Sequence, residues 1–337
     1  MNNTAADRPR ILTNMAFWQS EVWTRSTDSI YPMARRREDP VPLPPWKQAR
    51  LLLFGHRRGY DVVVTMGARE SLAYGVLCWL TGQPSKQILC EVFIDEPNPR
   101  SPAWRIKTAL YRRVVSRAIG MLTNSSAEVK TIAARLCVPE AKLRYVSMHT
   151  NIHTPEFSAA DDRFLLAAGR TLRDFPTLFE AAVHISYPIT VVCGRDDVLP
   201  DPVPANVTVL REIPREQYLD LLRRCTFVVL PLLNTGRSTG QVVLLEAMAV
   251  GKPVVATRSP GTVDHIVDGR NGILVNAGDA EALADAANAL LRNPPRIGEM
   301  GRNAVEGIRQ TATFDRHAQS KLEAIRSLWE KSLQERP

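Results

Sequence analysis

The sequence predicts an α/β protein of two lobes, each built from βαβ units. Three observations carry that expectation. At 337 residues the chain is long enough for two cores, because single domains run to roughly 100–200 residues. Short, uninterrupted, β-branched apolar runs recur along it, as strands buried on both faces of a parallel sheet require. Between those runs stand patterns of helical period.

Taken in order, the first fifty residues fit least well. RILTNMAF (10–17) reads as a strand, whereas TRSTDSIYPMARRREDPVPLPPWK (24–47) combines prolines with a basic run and reads as an irregular arm. YDVVVTM (60–66) and KQILCEVFI (86–94) read as strands, with helices over SLAYGVLCWL (71–80) and AWRIKTALYRRVVSRAI (103–119). A polar, proline-containing stretch, MHTNIHTPEFSAADDR (148–163), then marks a boundary between two α/β series. Beyond it the strands are FLLAAG (164–169), ITVVCG (189–194), FVVLPLL (227–233) and PVVAT (253–257). PTLFEAAVHI (176–185) and REQYLDLLRRC (215–225) read as the helices among them.

Composition narrows the function classes. A formal charge of +8 suggests an anionic partner, whether nucleic acid, a membrane surface or a phosphate-bearing substrate. The five cysteines are scattered singly in apolar runs, the usage of a reducing compartment, and indicate neither a disulfide framework nor a metal cluster. His149, His153 and His265 lack the spacing of a zinc site and read as loop residues, so no metal is expected. No apolar run reaches the roughly 18–20 residues of a membrane span, and the N-terminus lacks a signal-peptide core, so a cytoplasmic or peripheral inner-face location is expected.

The most informative stretch is STGQVVLLEAMAVGKPVVA, residues 238–256. Ser238, Thr239 and Gly240 stand before an apolar helical pattern that opens at Gln241, and Gly251 and Pro253 end it. A helix that starts at the carboxyl end of a parallel strand aims backbone N–H groups and partial positive charge at a crevice where phosphate can sit. Glu246, about two turns down, could accept hydrogen bonds from a ribose. It could equally be an ordinary helix residue.

The segment GQVVLLEAMAVGKPVVATRSPGTVDHIVDGRNGILVNAGDAEALADAANALL (240–291) resembles the donor-binding lobe of the retaining family-4 glycosyltransferases. That family pairs two glutamates across seven residues, followed by A-M-A-x-G-x-P-V-V-A-T. Glu246 matches the second glutamate, which the resemblance assigns to the nucleotide ribose, while Ser238 stands where the first is expected. AAGRTLRDFPTLFEA (167–181) resembles the family's G-R segment, placing Arg170 on its arginine and Arg173 near its lysine, as cations for the departing diphosphate. VVCGRDD (191–197) resembles the strand and glycine that follow, with Gly194 as that glycine. TATFDRHAQSKLEAIRSLW (311–329) resembles the closing helix.

The resemblance implies a GT-B fold: two facing Rossmann-like domains with a cleft between them and a C-terminal helix crossing back. The expected division is an acceptor-side domain over 1–152, a nucleotide-sugar domain over 153–312, and the crossover helix over 313–337. The implied reaction is transfer of a sugar from a nucleotide-sugar donor to a hydroxyl acceptor, glycan or lipid-linked, with retention and with no cofactor or metal. Donor contacts would come from Glu246, Ser238, Thr239, Gly240, Gln241 and Gly194, with Arg170 and Arg173 at the phosphates.

The first lobe is similar only loosely. Glu91 stands where many members carry a strand-end histidine, and Asp95 and Glu96 compete with it for acceptor contact. A GT-B nucleotide-sugar epimerase would recruit those same acids, and a catalytically silent partner subunit would account for Ser238. The helix at 103–119 carries Arg105, Lys107, Arg112, Arg113 and Arg117 with Trp104 interleaved, and reads either as a solvated face or as a surface for an anionic leaflet. No base-reading or stacking motif accompanies that charge, so nucleic acid is not expected.

Overall fold

A computed structural model describes residues 8–15, 17, 19–31, 43–56, 58–94, 98, 100–233 and 235–335. The chain divides into two compact units, Met1–Val146 with His317–Pro337, and Ser147–Arg316.

Unit 1 runs β1 (Ile11–Thr13), α1 (Glu21–Ser26), β2 (Thr27–Ser29), α2 (Pro45–His56), β3 (Val62–Met66) and α3 (Ala68–Leu80). It continues through β4 (Gln87–Cys90), α4 (Pro102–Arg117), β5 (Gly120–Thr123), α5 (Ser126–Leu136) and β6 (Leu143–Tyr145). The sheet order is β2-β1-β3-β4-β5-β6, with every pairing parallel. Successive strand side chains alternate between faces, and the registers Val63↔Gln87 and Thr65↔Leu89 define one of them. On that face Val63 packs with Leu52 of α2 and Tyr74 of α3, and Leu89 with Tyr111 and Val115 of α4. Helices α2 to α5 therefore form a single outer layer.

Unit 2 runs β7 (Leu165–Ala168), α6 (Phe175–Val183), β8 (Ile189–Cys193), β9 (Val207–Arg211), α7 (Arg215–Arg224) and β10 (Val228–Leu230). Then come α8 (Gln241–Ala249), β11 (Val254–Thr257), β12 (Gly272–Val275), α9 (Ala280–Leu291) and α10 (Pro294–Thr311). Its parallel sheet has the order β12-β11-β10-β7-β8-β9, the Rossmann arrangement whose strand order reverses between β7 and β10. The last helix, α11 (Phe314–Gln334), belongs to unit 1 from His317 onward. Its Ala318, Ile325 and Leu328 pack with Trp23 of α1 against Val62, Val64, Ile88 and Cys90, the sheet face opposite α2 to α5.

Each apolar run read as a strand coincides with one. The irregular arm does not hold at its ends. Residues 21–29 form α1 and β2, and α2 opens at Pro45, where the missing proline N–H would have had no helical partner anyway. Residues 32–42, with the basic run, lie outside the described residues. β2 escapes a reading by pattern because Thr27-Asp28-Ser29 is a short polar edge strand with no buried residue. β5 and β12 each open at a glycine, a residue depleted in strands, which weakens their signal in the sequence.

Candidate functional site

The loops after β7 and β10 leave unit 2's sheet at the carboxyl ends of its two diverging halves, where a Rossmann sheet opens a crevice. After β7, Gly169 adopts φ +122°, and a Cβ there would run into the Arg173 guanidinium. Glycine thus lets Arg173 fold back on its own strand. Arg173 Nε donates to the Ala168 carbonyl at 2.8 Å and Nη1 to the Thr171 carbonyl at 2.8 Å. Burial lowers its pKa to about 10, against the opposing effect of Tyr218 and Asp197, and leaves it a cation at neutral pH. Arg170 is exposed instead, 3.5 Å from Glu212. Gly194 is buried with both backbone groups engaged: its N–H donates to Asp197 Oδ2 at 2.6 Å and its carbonyl accepts from Arg211 Nη1 at 3.0 Å.

At the entry to α8 the expected Ser/Thr cap is absent. The N-cap is Gly240, at φ +78° in the left-handed region, and it supplies no side-chain hydrogen bond to the first turn. Thr239 Oγ1 reaches the Thr171 carbonyl at 3.4 Å, tying this loop to the one after β7. Gly261 packs so closely that a Cβ there would run into the Thr239 backbone. Gln241 Nε2 lies 3.3 Å from His265 Nε2. Burial holds the His265 pKa down at about 4, so the ring is neutral and its Nε2 accepts. Ser238, Thr239, Gln241 and Glu246 are all buried.

Glu246, with 1% of its surface exposed, is held from two sides. Its Oε1 accepts from Arg215 Nη2 at 2.8 Å and from Asn151 Nδ2 at 3.1 Å. Its Oε2 is buried, and so is the hydroxyl of Tyr218. The Tyr218 pKa stands well above that of an ordinary phenol, first through burial and then through the nearby Glu246 charge. The phenol and the carboxylate lie close enough for a Tyr218–Glu246 hydrogen bond to raise that pKa further. Both line a cavity of about 230 Å³ whose wall also includes Arg170, Arg215 and the apolar Val192, Ile213 and Val242. The arrangement offers an apolar slot with a carboxylate oxygen, a phenol and two guanidinium groups, chemistry suited to a nucleoside bearing anionic groups.

Of the residues singled out in the sequence, Arg170 and Glu246 share this cavity. Arg173 packs behind Gly169, which lines it, and Gly194 follows Cys193, which also does. Ser238, Thr239, Gly240 and Gln241 form the α8 entry and are not part of the cavity wall. Glu91 lies in unit 1, at the end of β4 with φ +51°, ion-paired at 3.0 Å to the buried Lys321 of α11. Asp95 and Glu96 lie outside the described residues. On α4, Arg105, Arg112, Arg113 and Arg117 are exposed, while Trp104 and Lys107 are half-buried.

Sequence reasoning missed Arg215, Tyr218 and Asn151. For Arg215 a signal existed: it is the first residue of α7, where the helix dipole disfavours a cation, so another contact must compensate. Among the described residues no group of three or more His, Cys, Asp or Glu side chains could hold a metal ion.

Residues 169–293 match the model of the family described as Glycosyl transferases group 1. The chain is 40% identical over 111 residues to the D-inositol 3-phosphate glycosyltransferase of Arthrobacter sp. (strain FB24), covering 33% of this chain and 24% of that protein. It is 43% identical over 60 residues to the GDP-mannose-dependent alpha-(1-6)-phosphatidylinositol monomannoside mannosyltransferase of Mycolicibacterium smegmatis, covering 18% and 16%. The matches thus span a quarter or less of those relatives' length. Among solved structures, Anabaena HepE in complex with UDP superposes with a TM-score of 0.69 at 15% identity, covering 94% of this chain and 100% of that one. Sucrose-phosphate synthase from Thermosynechococcus elongatus gives 0.70 at 16% identity, covering 96% and 100%. At such identities the likeness concerns the fold, and it is the GT-B arrangement of two Rossmann-like units.

Proposed function

We propose, from the premise that residues 169–293 belong to the Glycosyl transferases group 1 family, that the protein transfers a hexosyl group from a nucleotide-sugar to a hydroxyl acceptor with retention. The observation that carries this reading is Glu246: a buried carboxylate on the cavity wall, with one oxygen fixed by Arg215 and Asn151 and with the Tyr218 phenol beside it. That carboxylate would accept from a ribose hydroxyl, and Val192, Ile213 and Val242 would flank the base. Arg170 and the uncapped first turn of α8 would meet the diphosphate, with Arg173 adding a fixed positive charge behind them. As the acceptor oxygen bonds to the anomeric carbon, the carbon–diphosphate bond breaks, negative charge accumulates where those groups stand, and the acceptor's hydroxyl proton passes to the departing diphosphate oxygen. In Ser238 the site has a hydroxyl in place of a second carboxylate, so sugar hydroxyls would meet Ser238, Thr239 and Gln241. The acceptor is proposed as a glycan or lipid-linked hydroxyl.

The test is calorimetric titration with UDP and GDP, since one structural neighbour is bound to UDP and one relative is GDP-mannose-dependent. Glu246→Gln keeps shape but replaces a charged acceptor by a neutral one. It should weaken nucleotide binding about tenfold, roughly 1.4 kcal/mol. Equal affinity in the two proteins would remove Glu246 from the site. Incubation with donor alone separates transfer from epimerisation, because an epimerase converts the donor without acceptor.

A further inference from the structure

We propose that the outer layer of unit 1, formed by α2, the end of α3 and α4, docks on an anionic lipid leaflet. The docking does not depend on the donor-site reading; only its link to a lipid-borne acceptor rests on that reading.

A helix that buries one side against a sheet ordinarily presents a polar side to water. α2 does not. Its inner side buries Ala49, Leu52 and Leu53, while its outer side exposes Trp46, Leu51 and Phe54 beside Lys47 and Arg50. At the end of the neighbouring α3, Trp79 is exposed and Leu80 is 73% exposed, and Arg113 of α4 lies over the Trp79 ring at 5.5 Å. Ile106, 63% exposed, extends the apolar surface along α4. Single exposed apolar residues are ordinary, but a connected set on three adjacent helices marks an interaction surface.

The sheet topology gathers these side chains. Each of the three helices precedes a parallel strand of the same sheet, so their C-terminal ends all arrive at the edge where those strands begin. Phe54 and Arg58, Trp79 and Leu80, and Arg113 and Arg117 thus stand along one edge of the layer.

Charge selects the occupant. Neither α2 nor α4 contains an acidic residue. Among the described residues no ion pair engages Arg50, Arg58, Arg105, Arg112, Arg113 or Arg117. Lys47 and Arg58 instead lie over the Trp46 and Phe54 rings at 5.4 and 4.3 Å. A second copy of the same face would set like charges against each other. An anionic leaflet complements both features, with lipid phosphates for the guanidinium groups and the headgroup–acyl boundary for Trp and Phe. Trp104 and Lys107, half-buried on α4, add less than the aromatic residues of α2 and α3.

The experiment is co-sedimentation of the full chain with vesicles of phosphatidylcholine alone, or with about one-third phosphatidylglycerol added to give an anionic surface. Binding is expected to the anionic vesicles only, with release by salt and a blue shift of tryptophan emission. Arg112→Ala plus Arg113→Ala should weaken vesicle binding roughly thirtyfold. Phe54→Ser plus Leu80→Ser, at exposed positions, should weaken it by about tenfold or more while leaving the salt dependence in place. Equal binding to both vesicle types, no binding, or unchanged binding by the Phe54/Leu80 variant would overturn the proposal. So would a dimer of the chain alone that this variant dissolves, which would assign the face to a second copy. Nucleotide titration of the same variants reads the donor cavity separately, so the two readings can fail independently.

Discussion

Arg170 and Arg173 stand three residues apart and are used in opposite ways. Arg173 folds over Gly169 and satisfies the Ala168 and Thr171 carbonyls, whereas Arg170 stays exposed at the cavity with a 3.5 Å ion pair to Glu212. Removing Arg173 therefore strands the buried Ala168 carbonyl and strips the Thr171 carbonyl of its shorter hydrogen bond. Arg173→Ala is expected to cost about 1–3 kcal/mol of stability, read as a lower thermal midpoint, as well as lowering turnover. Arg170→Ala should leave stability within about 0.5 kcal/mol and reduce turnover through the lost cation. Equal destabilisation by the two substitutions in thermal denaturation would contradict this division of roles. In the sequence both arginines stand out only through the family resemblance, and their opposite settings were not legible, because these depend on the left-handed backbone at Gly169.

At the scale of the element, α8 shows how a helix end is set by its surroundings. Its N-cap has φ +78°, and a Cβ at Gly240 would stand 2.9 Å from a Leu232 methyl group. Gly240→Ala is therefore expected to combine left-handed strain with a steric conflict in a packed core, a loss of roughly 2–4 kcal/mol. Nucleotide affinity should fall with it, since the first turn would move. A variant with wild-type thermal stability and unchanged affinity would show that the entry of α8 tolerates displacement. The extent of this helix followed from its apolar pattern and the Gly251 and Pro253 stop. Its capping did not, because Gly240 in the left-handed region takes the N-cap and Thr239 is drawn into the loop packing around Thr171 and Gly261. α2 is the converse case. Its apolar residues occupy both the inner and the outer side, so no amphipathic period separates it from the preceding proline-rich arm.

At the scale of the whole molecule, α11 completes unit 1 from the far end of the chain. Ile325 is fully buried on the sheet face opposite α2 to α5, and Lys321, also buried, pairs with Glu91. Ile325→Ala should cost about 2–5 kcal/mol through lost burial and a residual cavity. The expected signature is faster amide exchange in β1, β3 and β4, with nucleotide affinity at the unit 2 cavity unchanged. Exchange that rises equally in β7, β8 and β10 would show that α11 stabilises more than unit 1. The net charge of +8 has a structural location as well. A large share of it lies on α2 and α4, two helices without an acidic residue. Among the described residues no helix is long and apolar enough to cross a membrane.

The sequence by itself determined the α/β class, most of the strands, the extent of α8 and Glu246 as a cleft candidate. These are properties of contiguous residues: strands buried on both faces must be unbroken apolar runs, and a helix announces itself by its period. What surrounds Glu246 was decided only by tertiary structure. Asn151 and Arg215 reach it from 95 and 31 residues away, and Lys321 reaches Glu91 across 230 residues. Such pairings depend on sheet order and register, which bring distant side chains together without leaving a local pattern in the chain. The same holds for the face shared by α2, α3 and α4. Each helix is ordinary or ambiguous alone, and only their packing side by side on one sheet joins their exposed aromatic and basic residues into a surface.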